Sequence, residues 1–482
     1  MNGQLLLQIA ASIVPQQAAL IDDTKTWTYE QLLVEGQRMA YMLHTHVKEG
    51  DTVAILLTNR AEYIATLLAC WQLGAVAMPL NTRLKEAEIN DYAVHAACVV
   101  TEERYRTYAF KRPKLLIEQV STMYEELTEH AQALTLLTSG SSAAPKKVEI
   151  FHEQFAGYIF SHHEAPDGTD KGRYLNAVPL FHITGLTAVF NALYSGRTVV
   201  LQEGFRAEAW LANVEQHRIT HSFVVPTMLY DVLQVERATE QLQTLQHITY
   251  GGAPMPRAII EQAITTLPHV AFSNAYGLTE TTATITALTA DDHQLTDDKK
   301  RARLASVGKP LADVELRIRN GQTLCAPYEV GVVEVKTARL NGYLGEAVPS
   351  WFVTHDTGYV DEDGYLFLQG RSSDVIVRGG ENISAHEVEA ALRQLPSIID
   401  AAVVGIPHAR WGEAVAAMIV ATEPLQPNEL TLQLKEKLAS FKVPRVFTFV
   451  QKLPLHATGK VDKRQIVRIF YEEKGDIGKY GE

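Results

Sequence analysis

Between residues 53 and 101 short aliphatic runs alternate with helix-length segments, and that alternation limits the fold more than any other feature of the chain. Residues 53–57, 75–78 and 97–101 read as buried strands, and 62–73 and 84–95 as helices. Parallel strands need a crossover of about a dozen residues, which each intervening helix supplies. The pattern resumes with strands at 134–137, 177–182, 199–201, 221–225, 247–250 and 269–272, and with helices at 183–194 and 207–217. A mostly parallel α/β sheet region is the expected result. Residues 102–133 are polar and weakly patterned, an irregular connector expected to hold one helix. The uncharged stretch 63–80 is interrupted by Gln72, Gly74 and Pro79, so a helix followed by a buried strand explains it better than a membrane span.

Past Gly308-Lys309-Pro310 the pattern changes to short strands and turns. Strands at 314–318 and 331–335, the Asn341-Gly342-Tyr343 turn and a tight turn at Asp361-Glu362-Asp363-Gly364 suggest a small β-rich subdomain. Gly370-Arg371-Ser372-Ser373-Asp374 has the look of a boundary. Beyond it come a strand at 375–377 and a glycine loop, Arg378-Gly379-Gly380-Glu381-Asn382. A capping box of Ser384 and Glu387 then opens a helix with Val388, Ala391, Leu392 and Leu395 on one face. Strands at 401–404, 414–420 and 446–450 and a helix at 429–439 complete a compact α+β unit. The fold class expected is therefore α/β: a large N-terminal domain of α/β sheets plus a small β-rich subdomain (1–370), a hinge (371–375) and a small mobile α+β C-terminal lid domain (376–482).

A net charge of −12 argues against nucleic acid as a partner. Cys70, Cys98 and Cys325 lie far apart without a paired spacing, so they read as buried thiols in a reducing compartment, not as a disulfide framework or zinc site. The first residues, MNGQLLLQIAASIVPQQ, lack a basic leader and read as an amphipathic helix. A cytoplasmic protein with no integral membrane segment is expected.

Several segments carry chemistry. Asn274-Ala275-Tyr276-Gly277-Leu278-Thr279-Glu280-Thr281-Thr282 follows the apolar run 269–272, where a strand would end in a loop and where open α/β sheets bind ligands. Tyr276 offers a flat face for a purine, and Gly277 permits close backbone approach. Glu280 is one hard carboxylate, which with nucleotide phosphates can hold Mg²⁺. The run Thr138-Ser139-Gly140-Ser141-Ser142-Ala143-Ala144-Pro145-Lys146-Lys147 packs hydroxyls, a glycine and lysines as a phosphate-embracing loop does, without matching the P-loop spacing. A polar hairpin is the plainer reading of the same run. Residues 177–182 end in Phe181-His182, a lone histidine of the kind that is more often structural. Gly251-Gly252-Ala253-Pro254 suits contact with a flat ring, and equally a plain turn. The HHxxxDG pattern at His162-His163-Glu164-Ala165-Pro166-Asp167-Gly168 falls in a polar loop and is taken as a chance match.

In this order, from Trp27 to Lys460, these segments resemble the adenylate-forming superfamily of acyl- and aryl-CoA synthetases, luciferases and peptide-synthetase adenylation domains. The resemblance implies an acid–thiol ligase. A carboxylic acid and Mg-ATP would give an acyl-adenylate, and the acyl group would pass to the thiol of coenzyme A. It implies that Thr138, Ser139, Gly140, Ser141, Ser142 and Lys146 embrace the β- and γ-phosphates. Gly251, Gly252, Ala253, Asn274 and Tyr276, with Gly277, would frame the adenine. Thr279 would reach the α-phosphate and Glu280 would hold the metal. Asp356, in Thr354-His355-Asp356 where the family shows TGD, would bind the ribose with help from Arg371. Ser373 matches the hinge position, Lys460 would stabilise charge during adenylation, Gly379 and Gly380 would line the thiol's route, and His182 would lie near the acyl entrance.

The family loop usually reads TSG[ST]TGxPKG, and here Ala143 and Lys147 replace its later glycines. At 143 a positive φ would cost roughly 1 kcal/mol or more. That departure admits a degenerate member that binds nucleotide or acyl ligand with poor turnover. A carrier protein is an alternative acceptor to CoA, and a homodimer is admitted. The segments expected to line the acid pocket are apolar with hydroxyls and no cation, so a fatty or aromatic acid is the expectation. The Ser373 hinge and residues 179–186 are also similar to the o-succinylbenzoate–CoA ligases of menaquinone synthesis.

Overall fold

A computed structural model describes residues 2–23, 25–84, 86–117, 122–138, 146–236, 238–371, 375–378, 381–408, 412–438, 440, 442–456 and 460–474. Residues Ser139, Gly140, Ser141, Ser142, Ala143, Ser373, Gly379 and Gly380 lie outside them. The chain divides into two compact units: residues 1–315 with 336–352, and residues 316–335 with 353–482.

The first unit holds two sheets. In the six-stranded sheet the order is Lys114–Leu116, Cys98–Thr101, Thr52–Leu56, Val76–Pro79, Gln132–Thr138, Lys146–Phe151, parallel except for the last pair. The nine-stranded sheet runs Lys309–Pro310, Ala283–Leu288, Ala271–Leu278, His247–Gly251, His221–Val224, Arg173–Asn176, Thr198–Leu201, Ala18–Ile21, Thr26–Thr28. Its six central strands, from Ala271–Leu278 to Ala18–Ile21, are parallel. One apolar core reaches both sheets, with Val53, Leu134 and Val148 on one side and Leu20, Val199 and Leu201 on the other. At its centre Trp71 packs edge-on or tilted against His152, Phe155 and Phe190, and its indole N–H donates to the Ala133 carbonyl at 3.1 Å.

Residues 63–80 fold as the helix Ala61–Gln72 and the strand Val76–Pro79, and no helix among the described residues is long and apolar enough to cross a membrane. The connector differs from expectation. Among its described residues it has no α-helix, only a single 3₁₀ turn at Glu103–Tyr105, the edge strand Lys114–Leu116 and the start of strand Gln132–Thr138. The strand expected at 177–182 ends at Asn176, because the next residues turn: Leu180 N–H donates to Asn59 Oδ1, and Pro179 has no N–H for a ladder. Cys70 and Cys98 are buried thiols, whereas Cys325 is only partly covered.

In the second unit, one sheet orders Thr323–Leu324, Glu315–Asn320, Gly331–Lys336, Phe352–Val360 and Leu366–Arg371. The other orders Glu381–Ser384, Val375–Arg378, Gly412–Ala421 and Ile398–His408, with Val446–Phe449 parallel to Gly412–Ala421. Along Ile398–His408, Ala401 and Val403 enter one apolar cluster with Val388 and Leu392, while Ala402, Val404 and Ile406 enter another with Ile466 and Phe470. The period-2 alternation of a strand thus feeds cores on both faces. Ser384 caps the helix Ala385–Arg393 by accepting from Glu387 N–H, one of the two bonds of the expected capping box.

Buried histidines make stability in the first unit depend on pH. Burial holds the imidazoles of His152 and His293, each 3% exposed, down at about 4 against an ordinary 6.5. A lowered folded-state value means that the unfolded chain binds the extra proton. Their contribution is therefore present above pH 6.5 and lost as pH falls towards 4, on the order of 3 kcal/mol each. Denaturant midpoints should hold between pH 8 and 6.5 and fall steeply from 6 to 4; a flat profile over that lower range would contradict this.

Candidate active site

The candidate residues of the first unit gather at the C-terminal ends of parallel strands, the edge where α/β sheets take ligands. The Asn274 segment does not begin a loop: strand Ala271–Leu278 runs on through Tyr276 and pairs antiparallel with Ala283–Leu288, with a bulge between Tyr276 and Gly277. Tyr250 and Asn274 are register partners on adjacent parallel strands, as are Gly251 and Ala275. Gly252, at φ +78°, turns the chain out of its strand. A Cβ on Gly277 would lie 1.7 Å from the Ala283 carbonyl oxygen, so only glycine allows this strand crossing. Asn274 is buried, and its Oδ1 has no hydrogen-bond partner among the described residues. Such an acceptor is costly unless a ligand donor meets it, and the exocyclic amine of adenine is one. Tyr276 is half-buried beside it, and Ala253 is exposed.

Thr279, Glu280 and Thr281 form a 3₁₀ turn, after which Thr282 (φ 55°) and Ala283 (φ 112°) take conformations rare for residues with a side chain. What holds this turn is a segment that sequence reasoning assigned elsewhere. Residues 336–352, including Asn341-Gly342-Tyr343, belong to the first unit and not to the β-rich subdomain. Arg339, 5% exposed, donates to the carbonyls of Thr281 (3.0 Å) and Thr284 (3.1 Å) and pairs with Asp313 through Nε and Nη2. Its guanidinium also lies 5.0 Å from the centre of the Tyr158 ring. Burial pushes the Asp313 carboxyl up, and the Arg339 guanidinium more than offsets this, leaving it below its usual range. Asn341 N–H donates to the Glu280 carbonyl at 2.8 Å, and its amide donates to Thr282 Oγ1.

Tyr343 completes the arrangement. Its hydroxyl donates to Glu280 Oε1 at 2.8 Å, and the Lys146 ammonium sits 4.1 Å from the centre of its ring. Val148 bridges Tyr343 antiparallel, and Leu344 N–H donates to the Lys147 carbonyl at 2.9 Å. The base of the expected phosphate loop and the expected metal carboxylate are therefore fastened to one segment. Thr138 and Lys146 are register partners at one end of the antiparallel pair Gln132–Thr138/Lys146–Phe151. No group of three metal-ligating side chains occurs among the described residues. Glu280 could still hold a cation through Oε2, completed by ligand oxygens in the way Mg²⁺ is commonly bound. Half-buried His182 starts the helix Ile183–Tyr194, with its ring 4.6 Å from that of Phe181.

In the second unit Asp356 is buried on Phe352–Val360, and its N–H donates to Thr354 Oγ1 at 3.1 Å. Asp356 and Arg371 are register partners, so the two residues expected at the ribose are neighbours. Lys460 is exposed, and its carbonyl accepts from His456 N–H at 2.7 Å beside the Leu455–Val461 bridge.

Residues 7–344 match the family of AMP-binding enzymes, and residues 387–460 match the AMP-binding enzyme C-terminal domain. The chain belongs to the AMP-binding enzyme family. It is 34% identical to the 2-succinylbenzoate–CoA ligase of Bacillus pumilus (strain SAFR-032), over 95% of this chain and 96% of that one. The o-succinylbenzoate CoA synthetase from Bacillus subtilis, solved with the acyl-adenylate intermediate, superposes with a TM-score of 0.85 at 30% identity, covering 97% of this chain and 98% of that one. The same enzyme solved with ATP and magnesium ion gives a TM-score of 0.85, covering 95% and 98%. The chain is thus an adenylate-forming acid–CoA ligase by family, with the α/β architecture expected from its sequence.

Arg339, Asn341 and Tyr343 were missed as site residues. The signal available was Asn341-Gly342-Tyr343, which reads as an ordinary turn until its long-range partners are known.

Proposed function

We propose that this AMP-binding enzyme is a 2-succinylbenzoate–CoA ligase that uses ATP, Mg²⁺ and coenzyme A. Likeness to ligases of that acid over nearly the whole chain supports the substrate. The fastening of Lys146 and Glu280 to Tyr343 is the observation that carries the chemistry. The acid's carboxylate oxygen attacks the α-phosphorus of ATP, the bond to the β-phosphate oxygen breaks, and pyrophosphate leaves. The CoA thiol then attacks the acyl carbon and expels AMP. In this reading Thr138, Lys146 and residues 139–142 hold the β- and γ-phosphates. Asn274, Tyr276 and Gly251–Ala253 hold the base, and Asp356 with Arg371 the ribose. Thr279 contacts the α-phosphate. Bound at Glu280, Mg²⁺ would offset charge on the phosphates. Lys460 supplies a second positive charge, His182 borders the acyl group, and Gly379 and Gly380 border the thiol's route. The C-terminal lid domain of residues 376–482 swivels about Ser373 within 371–375, with the body ending at 370, so that Lys460 serves one half-reaction and withdraws for the other. The enzyme acts in the cytoplasm.

The test is pyrophosphate exchange across a panel of acids, followed by mass spectrometry of the CoA product. 2-Succinylbenzoate should support exchange at least about 100-fold better than benzoate, because a site that pairs a polar substrate group rejects an analogue lacking it. Exchange favouring a fatty acid would overturn the substrate. Exchange with no acid would favour a degenerate binder, and acyl transfer to a carrier domain but not to CoA would overturn the acceptor.

A further inference from the structure

A hydrogen-bond chain behind the adenine pocket has no part in the chemistry above. It starts at the 3₁₀ turn Asp291–His293. Asp292 Oδ2 accepts from Thr289 N–H (3.0 Å) and Thr289 Oγ1 (2.7 Å), while the Arg303 guanidinium lies 3.8 Å from Oδ1. This fixes the Thr289 carbonyl, which meets His293 Nδ1 at 2.7 Å. A carbonyl only accepts, so Nδ1 carries the proton and Nε2 of the neutral ring must accept. Burial keeps His293 neutral, near 4. Tyr250, 1% exposed, therefore donates its O–H to Nε2 at 2.9 Å. Its phenol oxygen is left with the acceptor role towards Asn274, its register partner on the adjacent parallel strand, and the interaction with Asn274 lowers the Tyr250 phenol against the stronger upward push of burial. Only then does Asn274 present Oδ1, the buried acceptor without a partner among the described residues.

We infer that His293 and Tyr250 are positioning residues for nucleobase selection: the Thr289–His293–Tyr250–Asn274 chain sets the direction of every hydrogen bond, so that the pocket offers an acceptor and selects a 6-amino over a 6-oxo purine. The inference rests on the adenine reading of Asn274. Remove the acceptor at 293, and the Tyr250 hydroxyl is free to donate to Asn274 Oδ1 instead. The amide then turns its N–H₂ to the base, which suits a 6-oxo group. Remove the Tyr250 hydroxyl, and the amide loses its orientation.

The experiment is calorimetric binding of ATP and of ITP, each with Mg²⁺, to the full chain and to its His293→Phe and Tyr250→Phe variants. The unaltered protein should bind ITP about tenfold or more weakly than ATP, the usual size for one mismatched buried hydrogen bond. Both variants should compress that ratio to about threefold or less, chiefly through tighter ITP binding. A ratio unchanged in folded variants, whatever happens to absolute affinity, would overturn the relay and leave these residues a packing role. Should His293→Phe not fold, Tyr250→Phe decides alone, since the ratio is internal to each protein. ATP binding without thioester formation would sink the ligase reading while still testing the relay; no ATP binding would sink both.

Discussion

Lys460→Ala is expected to slow adenylate formation on the order of 10²–10³-fold, the cost of losing one preorganised electrostatic donor. The carboxylate is anionic, the α-phosphate it attacks is anionic, and the pyrophosphate that leaves gains charge as the bond breaks. A cation that meets these oxygens in the transition state, but not in the ground state, lowers the barrier without tightening substrate binding. The loss should therefore fall on kcat for pyrophosphate exchange, with KM for ATP little changed. Acyl transfer from supplied acyl-adenylate to CoA should run at nearly the unaltered rate, because the proposed swivel withdraws Lys460 for that half-reaction. Lys460 is exposed and His456 N–H donates to its carbonyl, a backbone bond that truncation of the side chain keeps, so the variant is expected to fold. Equal damage to both half-reactions would sink the assignment.

Where sequence and structure agree, the residues involved answer to short-range rules. The helix expected from residue 183 to 194 is Ile183–Tyr194, and the strand expected at 199–201 is Thr198–Leu201, since periodicity and turn residues fix such elements locally. Residues 177–182 look like a strand because they are apolar, but they are apolar to be buried, not to pair; Asn59, far off in sequence, receives their backbone. Strand Ala271–Leu278 outruns its apolar stretch because Ala283–Leu288 returns to pair with it. Motif chemistry made Asn274 and Glu280 legible as candidates. The orientation of Asn274 depends on His293 and that of Glu280 on Tyr343, and neither dependence follows any spacing. Arg339 was illegible for the same reason. An arginine in a turn-rich stretch is ordinarily solvated, and only the tertiary fold surrounds it with Asp313, Tyr158 and two carbonyls.

That burial makes Arg339 the residue whose loss should damage both stability and turnover. Thr282 and Ala283 sit at positive φ, each at a cost of order 1–3 kcal/mol, and such strain persists only where the surroundings over-determine it. Arg339 spans the strained pair by bonding the carbonyls on either side, Thr281 and Thr284, while Asp313 fixes its fork. In Arg339→Met the volume is roughly kept, but two carbonyls and a carboxylate lose their partner. Asp313 is itself exposed, so the cost comes chiefly from the carbonyls left unsatisfied, on the order of 1–3 kcal/mol, which a urea titration would read as an earlier midpoint with unchanged slope. The turn would then relax towards negative φ and carry Glu280 with it. A displacement of about 1 Å at a reacting site can cost on the order of 10²-fold, so pyrophosphate exchange should fall by about that factor, with a raised Mg²⁺ requirement. Arg339→Lys keeps the charge but cannot reach Asp313 and both carbonyls at once, and should recover less than half of the lost stability. If Arg339→Met melts early yet exchanges pyrophosphate at the unaltered rate and Mg²⁺ dependence in the folded range, the arginine supports the fold without positioning Glu280.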